Sequence, residues 1–207
     1  VVFGSARTVE ASRAYYSDLK GRMARYGREP EEICLLAGIP VIVADSAQEA
    51  DDKYWALQEL MHPIVARQRL AMDLETDLSD LPFDQPIPES RIPAKANLHT
   101  AYFNEIVRMI REDKLTLLET ARRYQRGSTT LRGTPQHVAD TLEEWFTTGA
   151  ADGFMFQFNL QPAGLQDFVR LVVPELQRRG LFRTAYAGRT LRDHFGLRRP
   201  PHRPPVE

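Results

Sequence analysis

The five histidines, His62, His99, His137, His194 and His202, are the first side chains to test for metal binding or proton transfer. Their spacings do not pair any of them as metal ligands. His62 precedes Pro63 and reads as the end of a helix. His137 falls in the first turn of another helix, where an exposed polar residue is ordinary. The single cysteine, Cys34, excludes a disulfide within the chain and argues strongly against a cysteine-based zinc site. It lies in an apolar run and reads as core packing rather than a nucleophile. No P-loop, no G-x-G-x-x-G fingerprint and no Ser-His-Asp constellation can be discerned. One amide pair stands out. Gln157 and Asn159 interrupt an apolar run and alternate with Phe158, so they share one side of an extended segment. The plainer reading is that they end a strand and bond its backbone.

Whatever these residues do, strands and helices must hold them. The 207 residues are 43% hydrophobic, which suffices for one domain or a domain with an appendage. A net charge of -1 gives no basic excess for nucleic acid or an anionic membrane surface. No apolar stretch approaches the roughly 20 residues that span a bilayer. No signal peptide is visible, and a lone cysteine suits a reducing, cytoplasmic setting.

Val1 to Phe3 reads as a short strand closed by Gly4 and Ser5. A helix is expected over Val9 to Tyr26, with Val9, Tyr16, Leu19 and Met23 on one face and Gly27 as its stop. Ile33 to Ala44 is almost continuously apolar, as in a parallel strand covered on both faces. Gly38 and Pro40 within it predict a bulge or bend. Ser46 caps a second helix, with Glu49 placed to complete a capping box. Its inner face is Ala50, Tyr54, Leu57 and Met61. From His62 to Asn97 helical periodicity is lost, and prolines at 82, 86, 88 and 93 predict an irregular excursion. Helices then follow from Ala101 to Glu112, with Phe103, Ile106, Val107 and Ile110 inward, and from Thr116, capped with Glu119. Thr134 and Pro135 start another helix that buries Val138, Leu142, Trp145 and Phe146 and stops at Gly149. Gly153 to Phe158 is a third strand. Leu165 to Arg179 is a last helix, with Leu165, Phe168, Val169 and Val172 inward and a kink expected at Pro174. Strands alternating with helices imply a parallel α/β sheet. Three strands are too few for an eight-stranded barrel, which takes about 250 residues.

Several blocks resemble bacterial luciferase-like monooxygenases. They are "RGTPQHVADTLEEWFTTGAADGF", "ASRAYYSDLKGRMARYGREPEEI" after "VVF", "DLSDLPFDQPIP" and "GLQDFVRLVVPELQRRGLFRTAYAGRTLRDHFGLRRP". The likeness is to the branch containing nitrilotriacetate monooxygenase, pristinamycin synthase, dibenzothiophene sulfone monooxygenase and long-chain alkane monooxygenase. It implies a partial TIM (β/α)8 barrel over residues 1–198, supplying strands 6 to 8 with their helices. A helical insertion of about residues 62–130 and a Pro-rich tail over residues 199–207 complete the expected organisation. A preceding segment is expected, because the family's flavin-phosphate loop would lie just upstream of Val1.

The resemblance further implies a two-component enzyme. Reduced FMN from a separate NADH:FMN reductase, together with O2, would oxidise a small organic substrate, and the full-length protein would be a homo-oligomer. Active sites of such barrels lie at the C-terminal ends of the strands. That rule makes Gly4, Ser5, Gln157 and Asn159 pocket candidates, with His99 added from the insertion that would cap the pocket. No catalytic residue, flavin-binding residue or metal ligand can be carried over. Many members have a histidine near Ser128 and Thr129, so a role for that histidine has no bearer here. Trp145 and Phe146 read as core rather than as flavin-stacking groups. Two further readings remain: a truncated, non-catalytic or structural module, and an F420-dependent oxidoreductase of the same superfamily.

Overall fold

A computed structural model of the chain describes residues 1–5, 7–124 and 129–197. Arg126 to Ser128 and the Pro-rich tail therefore lie outside the described residues. The strands are β1 (Val2–Gly4), β2 (Leu35–Val43), β3 (Leu131–Gly133) and β4 (Gly153–Gln157). All pair in parallel with β2. β1 takes Leu35 to Ala37, β4 takes Leu36 to Pro40, and β3 takes Val41 to Val43. The three expected strands thus lie together, and the short β3 is an addition. Three residues carry too little alternation to announce a strand.

No bulge interrupts β2, contrary to expectation. Leu36 to Pro40 match Gly153 to Gln157 one to one. Leu35 O accepts from Asp152 N on the β4 side, so strand alternation turns the Pro40 nitrogen away from β4. Pairing with β1 has already ended there, at Ala37. The missing N–H therefore costs no ladder bond.

One face of this sheet is packed. Ala37, Ile39, Val41 and Val43 of β2 are buried against Val138, Ala139, Leu142 and Trp145 of α6 (Pro135–Thr147). Phe168, Val172 and Leu176 complete that core. They lie on one row of the C-terminal helical stretch, formed by α7 (Ala163–Asp167), a π turn (Phe168–Val172) and α8 (Val173–Arg178). The π turn ends two residues before Pro174, the expected site of a kink. Leu165 and Val169, expected inward, lie on the neighbouring row and are exposed. Phe146 is also exposed, because it is the residue after the buried Trp145 and points round to the other side of α6. Cys34 is exposed rather than buried, for it precedes β2 at the rim of the sheet.

α1 (Val9–Gly21) ends earlier than expected and tightens into a 3-10 turn at Met23–Tyr26. Its inward polar residues fasten it to the start of β4. Ser12 donates to Ala150 O (2.8 Å) and Tyr16 donates to Asp152 Oδ1 (2.8 Å). Lys20 Nζ stands 3.0 Å from Asp152 Oδ2, and that oxygen also accepts from Leu35 N (2.7 Å). Gly149 takes a left-handed φ of 70° at the end of α6, turning the chain toward β4.

A second core forms between Ala66 and Tyr124. α2 (Ala47–Glu59) is capped by Ser46, but Glu49 pairs with Lys53 (3.1 Å) instead of closing the capping box. His62 does not end that helix. It caps a new one, α3 (Pro63–Leu74), which replaces the first part of the expected irregular stretch. Ala66, Leu70 and Leu74 of α3 pack with Phe103 and Ile106 of α4 (Thr100–Arg108) and Leu117 of α5 (Leu117–Arg123). Leu78 and Ile87, from the proline-containing segment, are buried in the same cluster. The Thr116–Glu119 capping box forms as expected.

Candidate functional site

Alternation along the paired strands sorts the opposite face of the sheet. The odd-numbered residues of β2 point to the helices, so Leu36, Gly38, Pro40 and Ile42 point the other way. Register places Phe3 beside Leu36, and Gly153, Met155 and Gln157 beside Leu36, Gly38 and Pro40. Phe154 and Phe156 pack on the helix side. Phe3 is 64% exposed and Met155 is 37% exposed, and Gln157 is exposed as well. Leu36, Pro40 and Ile42 are half-buried and Gly38 is buried, yet neither hydrophobic cluster among the described residues includes any of them. Call this side of the sheet the inner face. It is apolar at Phe3, Leu36, Pro40, Ile42 and Met155, and the charged residue that register sets beside Ile42, Arg132, is ion-paired with Asp51.

Two of the sequence candidates border Gly38 on this face, Gly4 through its carbonyl oxygen and Gln157 through its side chain. Gln157 closes β4 on the inner side. Gly4 ends β1, and Ser5 follows it. Gly38 stands between them, and sequence reasoning did not select it. A Cβ at position 38 would lie 3.6 Å from Gly4 O, 3.6 Å from Met155 Cε and 3.8 Å from Gln157 Nε2. The only sequence signal was a glycine in a strand, which is equally a mark of a bulge. Asn159 is exposed beyond the end of β4. His99 is not brought to the strand ends by any ring contact. It is the exposed N-cap residue of α4, and its ring lies 5.3 Å from that of Tyr102.

A cavity of about 550 Å³ opens on the helix side of the sheet, lined in part by Val9, Ile39, Leu131, Arg132, His137 and Trp145. Arg132 is ion-paired with Asp51, and its guanidinium lies 4.3 Å from the Tyr54 ring centroid. This cavity reads as a seam between helices.

Shifted ionisations gather away from the inner face. Burial and the Asp152 carboxylate both raise the Tyr16 hydroxyl. Burial pulls Lys20 down, but its contacts with Asp152 and Tyr16 outweigh that and raise it. Both residues belong to the staple at the N-terminal ends of the strands, the end of such folds that carries stability. Elsewhere the lowered carboxylates serve local structure. Glu75 is held down by backbone N–H groups of Leu98 and Asn97, and Glu119 by Thr116. No group of three metal-ligating side chains occurs among the described residues.

A parallel sheet packed on one face by helices is the architecture on which the sequence likeness to known proteins falls. The model of the luciferase-like monooxygenases fits residues 1–152. The chain belongs to the luciferase-like monooxygenase family. Nitrilotriacetate monooxygenase component A of Aminobacter aminovorans is 42% identical over 206 residues, covering 97% of this chain and 44% of that protein. Dibenzothiophene-sulfone monooxygenase of Rhodococcus erythropolis is 33% identical over 209 residues, covering 96% and 45%. Among solved structures, DmoA of Hyphomicrobium sulfonivorans superposes with a TM-score of 0.73 at 26% identity, covering 93% of this chain and 40% of that one. The chain thus spans less than half the length of these luciferase-like relatives. Its fold is part of their α/β barrel, as the sequence implied. No helix among the described residues is long and apolar enough to cross a membrane.

Proposed function

We propose that this chain supplies strands 6 to 8 of a (β/α)8 barrel in a cytoplasmic two-component monooxygenase. The enzyme takes reduced FMN from a separate NADH:FMN reductase and uses O2 to oxidise a small organic substrate. The observation that carries this reading is the one-sided sheet. β2 is apolar on both faces, yet among the described residues no hydrophobic cluster takes in its inner-face residues, and Phe3 and Met155 beside them are exposed. Further strands of the same barrel are the cover such a face requires.

The residues present suit one wall of a flavin pocket. Gly38 leaves a place that a Cβ would fill, and the surrounding surface is uncharged. A flat, uncharged ring can approach such a wall closely. FMN, when bound, supplies the oxygen-activating redox chemistry. This chain's part is to exclude water with Phe3, Leu36 and Met155, and to offer hydrogen bonds from Ser5, Gln157 and Asn159 at the mouth. Gly4 ends β1 there, where a Cβ would press on Leu35 Cδ1 at 3.0 Å, and His99 lies on the insertion that covers the mouth. The phosphate-binding loop belongs to the segment before Val1, and the assembled enzyme is a homo-oligomer.

The test is titration of the full-length polypeptide, anaerobically, with reduced FMN and separately with a reduced deazaflavin (F420). Tight, saturable binding of reduced FMN and none of the deazaflavin is expected. Preference for the deazaflavin would move the protein to the F420 branch. Binding of neither would leave a non-catalytic module.

A further inference from the structure

We infer that Gly38 and Gln157 act as one unit, in which the glycine seats the Gln157 amide on the inner wall to hydrogen-bond the edge of the flavin ring. The inference rests on the reading proposed above, and it adds a binding role to two named residues.

Nothing local demands a glycine at position 38. It lies in the middle of β2, paired one to one with β4, and its backbone is ordinary extended strand. An added Cβ would meet its neighbours at 3.6 to 3.8 Å, which is normal contact. A strand glycine weakens the strand and gives it no side chain to pack. The atoms near the vacant Cβ position are the ends of two long side chains, Met155 Cε and Gln157 Nε2. Both belong to β4, one strand away. Both tips thus lie across β2 over position 38, where a side chain larger than a single methyl would displace them. The result is a shallow floor, thioether on one side and primary amide on the other.

The amide has work left to do. On the inner face, Gln157 is flanked by Pro40, Met155 and Gly38, none of which has a side-chain partner for it. Once a barrel closes over this face, its two donors and one acceptor lie in an apolar setting and require partners. A flavin ring presents a neutral edge of carbonyl acceptors and an N–H donor, which complements a primary amide. A charged ligand group would find no counter-charge on this floor.

The experiment uses the full-length polypeptide and measures FMN binding by fluorescence quenching, with the visible absorption band of the bound flavin as a second readout. Gln157→Leu is expected to weaken FMN binding about tenfold, the loss of one well-placed hydrogen bond to a buried partner. It should also shift the flavin band, because the hydrogen bonding at the ring edge has changed. Gly38→Val, which lifts the amide from its seat, should weaken binding by a similar factor. The double variant should be no worse than either single variant, since both remove the same contact. Thermal unfolding checks that each variant is folded. Gln157→Leu sits at an exposed strand end and carries the test alone if Gly38→Val does not fold. If the unsubstituted protein binds FMN and the folded variants bind within twofold of it, with an unshifted band, the inference is overturned while the flavin reading stands. If the losses of the two single variants simply add, the coupling between the residues is refuted. If the unsubstituted protein binds no FMN, the flavin reading fails and the inference falls with it.

Discussion

Asp152 offers the sharpest check on how the sheet is held together. Its carboxylate accepts from the Leu35 amide at 2.7 Å and the Tyr16 hydroxyl at 2.8 Å, and lies 3.0 Å from Lys20 Nζ. It therefore ties α1 to the first residues of both β2 and β4. Asp152→Ala removes three charge-assisted contacts, each worth about 1.5 to 3 kcal/mol in isolation. Their sum is an overestimate. The Asp152 side chain is 25% exposed, so water replaces part of what is lost. Lys20 keeps its bonds to Pro30 O (2.7 Å) and Ile33 O (2.5 Å). The cost that water cannot repair is the orphaned Leu35 amide, and the expected total is about 3 kcal/mol. Urea unfolding, followed by fluorescence of the buried Trp145, measures it. Lys20→Met in the Asp152→Ala background should cost much less than it does alone, since the shared partner is already gone. A loss below about 1 kcal/mol for Asp152→Ala would refute the staple.

The same staple has a pH signature. Tyr16 and Lys20 both titrate above their ordinary values of 10.0 and 10.5 in the folded protein. The folded state thus holds those protons more tightly, so their contribution is complete below about pH 10 and is lost as pH rises through the folded values. Alkaline unfolding should shift to lower pH in Tyr16→Phe, Lys20→Met. At the acid end, bonds from Arg178 and then Arg179 lower Glu175 to about 2. Its contribution is present above the ordinary 4.5 and disappears as pH falls toward 2, so Glu175→Gln should lose less melting temperature over that window than the unsubstituted protein. The bare inner face, with Phe3 and Met155 outward, should make residues 1–207 alone self-associate. Sedimentation should show oligomers, and Met155→Lys should shift them toward monomer. Monomeric behaviour without the substitution would count against an uncovered face.

The sequence revealed those features whose cause is local. Thr116 with Glu119, Thr134 with Pro135, and Gly149 each fix a helix end within a few residues, and each was readable. The β2 strand was readable because both faces are apolar. Helix α3 was hidden. Its buried row of Ala66, Leu70 and Leu74 shares the helix with the exposed Ile64, Val65 and Met72, so the apolar period is blurred. Phe146, Leu165 and Val169 misled for the same reason, being apolar residues on outward rows. At the candidate site, Gly4, Ser5 and Gln157 were legible as strand ends. Gly38 was not, because its significance depends on which β4 side chains the register lays across it. His99 and Asn159 remain expectations drawn from position.

The central claim is that these residues form one wall of a flavin pocket whose other walls lie in further strands of the barrel. Titrating FMN into residues 1–207 alone, and into the same residues within the full-length polypeptide, tests it most directly. Saturable micromolar quenching by the full-length protein, and none by the shorter chain, is the expected result. Equal binding by both would mean that the pocket is complete without those strands, and would contradict the account.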